Sequence, residues 1–496
     1  MRRGERERGQ KDGGRGAWTG TGTSGIVGPM RRLLPLALLL LAGARGQEKP
    51  LRERIEEAVL AFRQKDARAG VHVVSSRTGK AVYSRLETEP FLLASNTKLL
   101  TTAAALARLG PEFRFRTAVG LVGNDLHVFA GGDPNLSGRF HGDDPAAIFR
   151  GWAAKLRDAG ARKLGSLVLH TGIFDGEHLN PGWKDYDLWW WWSAPFGALS
   201  LNDNCVDLTV HPQAEGEPCR ISVSPDTGYV RIVNETKTAA KPQKPFGFTR
   251  KPGTNVITLR GETGARGTYS VAIHDPTLFF ATVLLETLSR EGIEIEGKIE
   301  ESSRPLEDVA GFREIAAWES DLGATIATCN QPSQNFYAEM ILRTLGWKAK
   351  GKGTRENGLA AAREYLAGEA GLESFSQEDG SGLTRENRAS PADLVRLLLH
   401  MRAHAHAKAF LDSLPSNGAE KGTLRRRMTA ADLKGRVRAK TGHISGVSTL
   451  SGYADSADGD TYLFSVLVNA PPGSSSAGAD RLQDRICEIL VRNKSE

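Results

Sequence analysis

Ser95 and Lys98 stand three residues apart in Ala94-Ser95-Asn96-Thr97-Lys98-Leu99-Leu100. The Ala/Leu-rich residues that follow predict a helix ending at Gly110-Pro111. A spacing of three then sets the amine one turn above the hydroxyl on the same helix face. A serine hydroxyl becomes a nucleophile when a base takes its proton. A lysine can be that base if burial or a second cation lowers its proton affinity. The helix N-terminus adds backbone N–H groups and partial positive charge, which suit an oxyanion. Alone the pair carries little weight. Its spacing arises by chance about once or twice in a chain of this length, and an N-capping serine before a plain helix reads the same way.

Two further stretches change its weight. Ser333-Gln334-Asn335 opens a predicted helix over 336–345, and Lys440-Thr441-Gly442 lies on a predicted strand edge followed by two more strands. They follow Ser95 in order, 238 residues on and then another 107. Lys440 would supply the second cation, keeping Lys98 neutral and attracting a carboxylate. Thr441 offers that carboxylate a hydroxyl. Gly442 leaves the strand edge open to a substrate backbone, with no Cβ in the way. Asn335 can hold a substrate amide and Lys98 together, and Ser333 can pass a proton to a departing amine. Ser-x-x-Lys, Ser-x-Asn and Lys-Thr-Gly in this order are the motif set of β-lactamases and penicillin-binding proteins. Here the middle motif carries Gln where Asp is usual.

Longer tracts sharpen the likeness. Gly131-Gly132-Asp133-Pro134-Asn135-Leu136, Ala198-Leu199-Ser200-Leu201-Asn202-Asp203-Asn204-Cys205, Asp379-Gly380-Ser381-Gly382-Leu383-Thr384-Arg385 and residues 439–449 make the sequence resemble the class C low-molecular-mass penicillin-binding proteins. These form the D-alanyl-D-alanine carboxypeptidase/endopeptidase family, and the resemblance covers about residues 50–490. It implies an α/β (α+β) multidomain fold, in which a β-lactamase/transpeptidase-like serine DD-peptidase domain is split by a strand-rich insertion. It implies Ser95 as acyl-forming nucleophile, Lys98 as its base, Ser333 and Asn335 as the second catalytic element, and Lys440, Thr441 and Gly442 as the third. The oxyanion hole would be the backbone N–H groups of Ser95 and His443. The ungapped run Pro181-Gly182-Trp183-Lys184-Asp185-Tyr186-Asp187 places Asp187 where the family binds the diamino-acid side chain of the substrate, and Arg385 is a second candidate for that task. The implied partners are peptidoglycan stem peptides, with β-lactams as covalent inhibitors, and there is room for a homo-oligomer. No metal or organic cofactor is implied. A β-lactamase of the same broad fold would need an added deacylation base, and the sequence offers none. An idle wall-peptide binder would have no use for both lysines. Carboxypeptidase and endopeptidase activity both stay open.

The elements that position these residues can be read in outline. The chain has 496 residues, too many for one core, and a pI near 9.2 that invites a nucleic-acid reading. That reading fails: residues 1–47 hold nine Lys/Arg and three acids, or +6 of the total +7. Met30-Arg31-Arg32, the apolar run over 33–42 and the small residues Ala42-Gly43-Ala44 and Ala44-Arg45-Gly46 read as a secretory signal peptide cleaved near 44–46. Residues 1–29 read as a Gly/Arg-rich extension from an upstream start codon. The expected product is exported, periplasmic or in the cell envelope. Its expected segments are the extension and signal peptide (1–46), a first half of the peptidase domain (47–114), inserted domains (115–312) and a second half (313–496).

Within these segments, strands are expected over 70–76 and 81–84, a hairpin over 115–130, and short strands over 205–275. Helices are expected over 52–65, 146–159, 276–290, 335–347, 354–369, 391–406 and 479–491, with strands over 436–440, 448–453 and 462–468. Of four cysteines, Cys205 and Cys219 are the favoured local disulfide pair, across a hairpin of 208–210 with 221–223; Cys329 and Cys487 read as buried small hydrophobes. Trp189-Trp190-Trp191-Trp192 reads as a packed aromatic prop beside Asp187. His400, His404 and His406 read as a solvated helix end, and Arg425-Arg426-Arg427 as a solvated face.

Overall fold

The first and last strands of the chain share one sheet. In the computed structural model, which describes residues 49–183 and 188–494, the strands Val437–Ile444, Val447–Asp455, Thr461–Asn469, Arg68–Ser75 and Ala81–Arg85 lie side by side in that order. Every neighbouring pair is antiparallel. Residues Pro50–Glu496 make one compact unit. The expected leader lies outside the described residues. Among the described residues no helix is long and apolar enough to cross a membrane.

Alternation along the strands gives this sheet two buried faces. Val71, Val73, Phe464, Val466 and Val468 pack with Ile55 and Val59 of the helix Leu51–Ala61 and with Leu482, Ile486 and Leu490 of the helix Ala477–Val491. Leu463 and Leu467 point the other way, into the larger core with Leu394, Leu397 and Leu398 of the helix Pro391–Ala403. That larger core also receives the helices Thr97–Leu109, Leu322–Asn330 and Asn335–Lys350. Edge strand Val437–Ile444 therefore borders the helical layer, which is where Ser95 and Asn335 begin their helices.

The strand-rich middle of the chain forms separate small sheets. Ile299–Ser302, Leu167–His170, Asp125–Phe129, Arg114–Val122 and Arg313–Asp321 make one of five strands. Its antiparallel pair Arg114–Val122 with Arg313–Asp321 sets Arg114 opposite Asp321 and Arg313 opposite Leu121. Two three-stranded sheets follow, Gly267–Ala272 with Cys205–His211 and Arg220–Ser224, and Arg231–Thr238 with Val256–Thr263 and Gly247–Arg250.

Two expectations need correction. The hairpin pairs Leu208 with Val223 and Val210 with Ile221, yet the cysteines do not meet: all four are free and buried. With Asp207 opposite Ser224 and His211 opposite Arg220, Cys205 and Cys219 sit at opposite ends of the hairpin. That separation is roughly 20 Å at 3.3 Å per residue, against the ~7 Å between Cα atoms that a disulfide tolerates. The helices Leu322–Asn330 and Ala407–Ser413 were not expected. The first, Leu-Gly-Ala-Thr-Ile-Ala-Thr-Cys-Asn, is rich in weak helix formers. It forms because Asp321 caps it, accepting from Ala324 N at 2.7 Å, and because Leu322, Ile326 and Cys329 are buried.

Candidate active site

Ser95 occupies a short 3-10 turn, Ala94–Asn96, that runs into the helix Thr97–Leu109. The turn is held against the sheet edge: Asn96 Nδ2 donates to the Lys440 carbonyl at 2.9 Å. Ala94 takes a left-handed φ of +46°, which favours glycine and persists only when its surroundings enforce it. Gly442 is part of that enforcement. A β-carbon on it would stand 2.8 Å from both Ser95 N and Leu93 O. The missing side chain at Gly442 thus lets the turn that carries Ser95 close on the strand.

Lys98 is fully buried and has an acceptor for each of its three N–H groups. Nζ donates to Ser95 Oγ at 3.0 Å, to Asn335 Oδ1 at 2.6 Å and to the Ser381 carbonyl at 2.8 Å. Asn335 opens its helix and donates through Nδ2 to the Trp192 carbonyl at 2.8 Å. Across the cleft, Lys440 Nζ donates to Ser333 Oγ at 2.9 Å and to the Thr441 carbonyl at 2.8 Å. Ser333 is also left-handed, with φ +66°. Thr441 Oγ1 donates to Thr423 Oγ1 at 2.8 Å. Ser95, Ser333, Asn335, Thr441 and His443 line one cavity of about 390 Å³, walled by Trp191 and Thr423. A larger groove of about 560 Å³, between the helices Leu51–Ala61 and Ala477–Val491, contains none of these residues.

The His443 ring has a partner, Asp480, that is not among the residues lining this cavity. Its Nε2 pairs with Asp480 Oδ1 at 2.9 Å, turning the ring toward the helix Ala477–Val491. Earlier on the same strand, Val437 N donates to Asn417 Oδ1 at 2.9 Å and Ala439 N to the Pro415 carbonyl at 3.0 Å, both away from the neighbouring strand. Antiparallel alternation then sets the N–H groups of Thr441 and His443 on that same open edge. Arg385 stands at the rim, donating from Nη1 to the carbonyl of the cavity-lining Ser445 at 2.8 Å. Asp187 lies outside the described residues.

The sequence reading missed two carboxylates that shape the site. Glu339, one turn past Asn335 and buried, accepts from Gly380 N at 3.0 Å and Ser381 N at 2.9 Å. Asp379, also buried, accepts from Gly382 N at 2.6 Å, Thr384 N at 2.8 Å, Asn387 Nδ2 at 2.9 Å and Trp183 Nε1 at 3.2 Å. Glu339 had a signal: it lies four residues after Asn335, inside an otherwise apolar run. The tryptophans divide their work. Trp190 and Trp192 stack at 4.6 Å and 10°, while Trp191 is 37% exposed and faces the cavity.

Burial lowers the proton affinity of both lysines. Lys98 falls to about 8, with Cys329, Asp379 and Glu339 pulling it back up. Lys440 falls well below the usual lysine range, through burial and then the charge of Lys98. The surroundings of the two lysines differ: Lys98 has carboxylates near it, and Lys440 has a cation. Burial, then Asp379, pushes Glu339 up to about 7.

The chain can now be set beside known proteins. A D-alanyl-D-alanine carboxypeptidase of Actinomadura sp. (strain R39) is 31% identical, over 94% of this chain and 90% of that protein. The penicillin-sensitive carboxypeptidase A of Dictyostelium discoideum is 25% identical over 86% of each. The crystal structure of penicillin binding protein 4 from Haemophilus influenzae has the same fold, with a TM-score of 0.74 at 22% identity, over 88% of this chain and 99% of that one. The family model described as D-Ala-D-Ala carboxypeptidase 3 (S13) matches residues 51–490, and with that span and the Actinomadura relative this chain belongs to the D-Ala-D-Ala carboxypeptidase 3 (S13) family.

Proposed function

We propose that this chain is a serine D-Ala-D-Ala carboxypeptidase, with DD-endopeptidase activity at the same site, acting on peptidoglycan stem peptides. The observation that carries the reading is the Lys98 ammonium, 3.0 Å from Ser95 Oγ and held by Asn335 and Ser381. In its neutral form Lys98 takes the Ser95 proton as Oγ attacks the carbonyl of the terminal D-Ala bond. The N–H groups of Ser95 and His443 stabilise the oxyanion. Lys440, 2.9 Å from Ser333 Oγ, backs the hydroxyl that protonates the departing amine. Water then hydrolyses the ester on Ser95. The substrate carboxylate is received by Thr441, Thr423 and Lys440. Asp187 and Arg385 select the diamino-acid side chain, and a signal peptide starting at Met30 and cleaved near 44–46 exports the chain to the cell envelope. A β-lactam presents the same carbonyl and carboxylate, so it acylates Ser95.

Digesting defined muropeptides and reading the products by mass spectrometry tests this. Release of terminal D-alanine by the wild type, and none by Ser95→Ala, is the expected result. Nitrocefin should give one burst per site and then near silence. Sustained turnover would make the chain a β-lactamase instead.

A further inference from the structure

Glu339 is a buried carboxylate that the mechanism above leaves unused. It projects from the helix Asn335–Lys350, one turn after Asn335, and is 2% exposed. Its Oε1 accepts from Gly380 N at 3.0 Å and Ser381 N at 2.9 Å, and its Oε2 from Gly380 N at 3.2 Å. Those two amides belong to the loop whose Ser381 carbonyl accepts from Lys98 at 2.8 Å. The helix therefore touches the lysine twice: directly through Asn335 Oδ1 at 2.6 Å, and through Glu339 by way of the loop backbone.

The loop has little freedom to sit elsewhere. A β-carbon on Gly380 would run into the Ala338 carbonyl, so the loop backbone lies against the helix at the turn carrying Glu339. Thr101 Oγ1, on the helix of Lys98, donates to the Gly380 carbonyl at 2.7 Å. Gly380 and Ser381 thus lie between the two helices, with N–H groups toward Glu339 and carbonyls toward Thr101 and Lys98.

We propose that Glu339 is a positioning residue for the acylation step: it fixes the Ser381 carbonyl beneath Lys98, and its negative charge governs how firmly Lys98 holds its proton. The inference rests on the reading of Lys98 as the base for Ser95. The charged and titratable groups facing Glu339 are Asp379 from the loop, Lys98 from the helix Thr97–Leu109, Cys329 from the helix Leu322–Asn330 and Arg343 one turn on along its own helix. Arg343 is engaged by Asp175 and Glu177, each at 2.7 Å. Lys440 in turn faces Lys98 and Cys329. The sign of the effect follows. Glu339 and Asp379 favour protonated Lys98, so removing the Glu339 charge makes Lys98 a free amine at lower pH.

The test is the rate of penicillin acylation against pH in the wild type, Glu339→Gln and Glu339→Asp, with the acylated peptide located by mass spectrometry. Glu339→Gln keeps an acceptor oxygen and loses the charge, so the acid limb should move down by about one pH unit. Glu339→Asp keeps the charge and loses reach, so the limb should stay while the plateau falls about ten-fold. Equal limbs in all three proteins, with only the plateau changed, would reduce Glu339 to a structural residue and overturn the proposal. Acylation away from Ser95, or full activity in Lys98→Arg, would instead overturn the underlying assignment of nucleophile and base. Should Glu339→Gln fail to fold, the reciprocal effect is readable in protein carrying ¹³C-carboxyl glutamate. The Glu339 signal, identified by its absence in Glu339→Asp, should titrate at higher pH in Lys98→Met than in the wild type. An unmoved signal would equally overturn the electrostatic claim.

Discussion

Gly382 and Ala94 meet so closely that a β-carbon on Gly382 would collide with the Ala94 carbonyl oxygen and stand 2.7 Å from Thr97 Oγ1. Both residues are left-handed, Gly382 at φ +83° and Ala94 at +46°. Backbone contact thus fixes the residue before the nucleophile from the loop that also supplies an acceptor to Lys98.

Gly382→Ala should therefore disable the site by moving Ser95. The side chain meets both an unfavourable φ and an occupied position, which together cost about 2–5 kcal/mol. Urea unfolding should register that loss, and penicillin labelling of the fraction still folded should fall at least ten-fold. Wild-type labelling in Gly382→Ala would mean that the turn at Ala94 does not depend on this contact. Ala94→Gly should do the reverse, raising stability by about 0.5–1 kcal/mol without slowing acylation.

Lys98 should make stability rise with pH, the same direction as a carboxylate paired in the fold, but in an alkaline window. Its folded-state value, about 8, lies below the ordinary 10.5. Between those limits the unfolded chain binds more protons, so stability rises with pH across the window, and below pH 8 the penalty is felt in full. The drop corresponds to about 3 kcal/mol. Lys98→Met removes this dependence, so the stability difference between variant and wild type should shrink by about that amount from pH 8 to 10.5. Urea titrations at several pH values measure it, and a constant difference would place Lys98 in contact with water.

Much of this arrangement could be read before any coordinates. Ser95, Lys98, Ser333, Asn335, Lys440 and Thr441 carry their chemistry in their side chains and recur at motif spacing, so types and order reveal them. The helix Pro276–Arg290 was equally plain, since its proline, apolar face and terminal arginine all agree. What stayed hidden depends on three-dimensional approach. Nothing in the letters says that Ser333 is left-handed, that Gly442 yields to the chain's own backbone, or that Cys205 and Cys219 end seven residues out of register. The charges around Lys98 stayed hidden for a related reason. Glu339 lies 241 residues from Lys98, and only folding sets its charge beside it.

Arg385 and Asp187 should affect substrates and β-lactams differently. Arg385 reaches the cavity only at its rim, through the Ser445 carbonyl, and Asp187 is assigned by resemblance. A charge-assisted hydrogen bond to the diamino-acid side chain is worth roughly 1.5–3 kcal/mol, or about ten- to a hundred-fold in kcat/KM. Asp187→Ala and Arg385→Ala should each slow hydrolysis of a peptide bearing the free side chain by that factor and leave penicillin acylation nearly unchanged. A parallel fall in both reactions would make the residue structural.

Lys440 should take up a proton when an anionic ligand binds. It is buried, has the cation Lys98 as its neighbour, and holds its proton less firmly than a free lysine. A ligand carboxylate placed at Thr441 and Thr423 reverses that balance, because an opposite charge within about 4–6 Å favours the ammonium by one to three pH units. The arriving carboxylate therefore raises the ammonium fraction of Lys440. Proton uptake can be counted without chemistry in Ser95→Ala, which cannot be acylated. Calorimetric binding of a cephalosporin carboxylate, repeated in buffers of different ionisation enthalpy, should report net proton uptake. The Ser95→Ala/Lys440→Met double variant should report close to none and bind at least ten-fold more weakly. Uptake that survives the loss of Lys440 would assign the proton to Lys98 or Glu339.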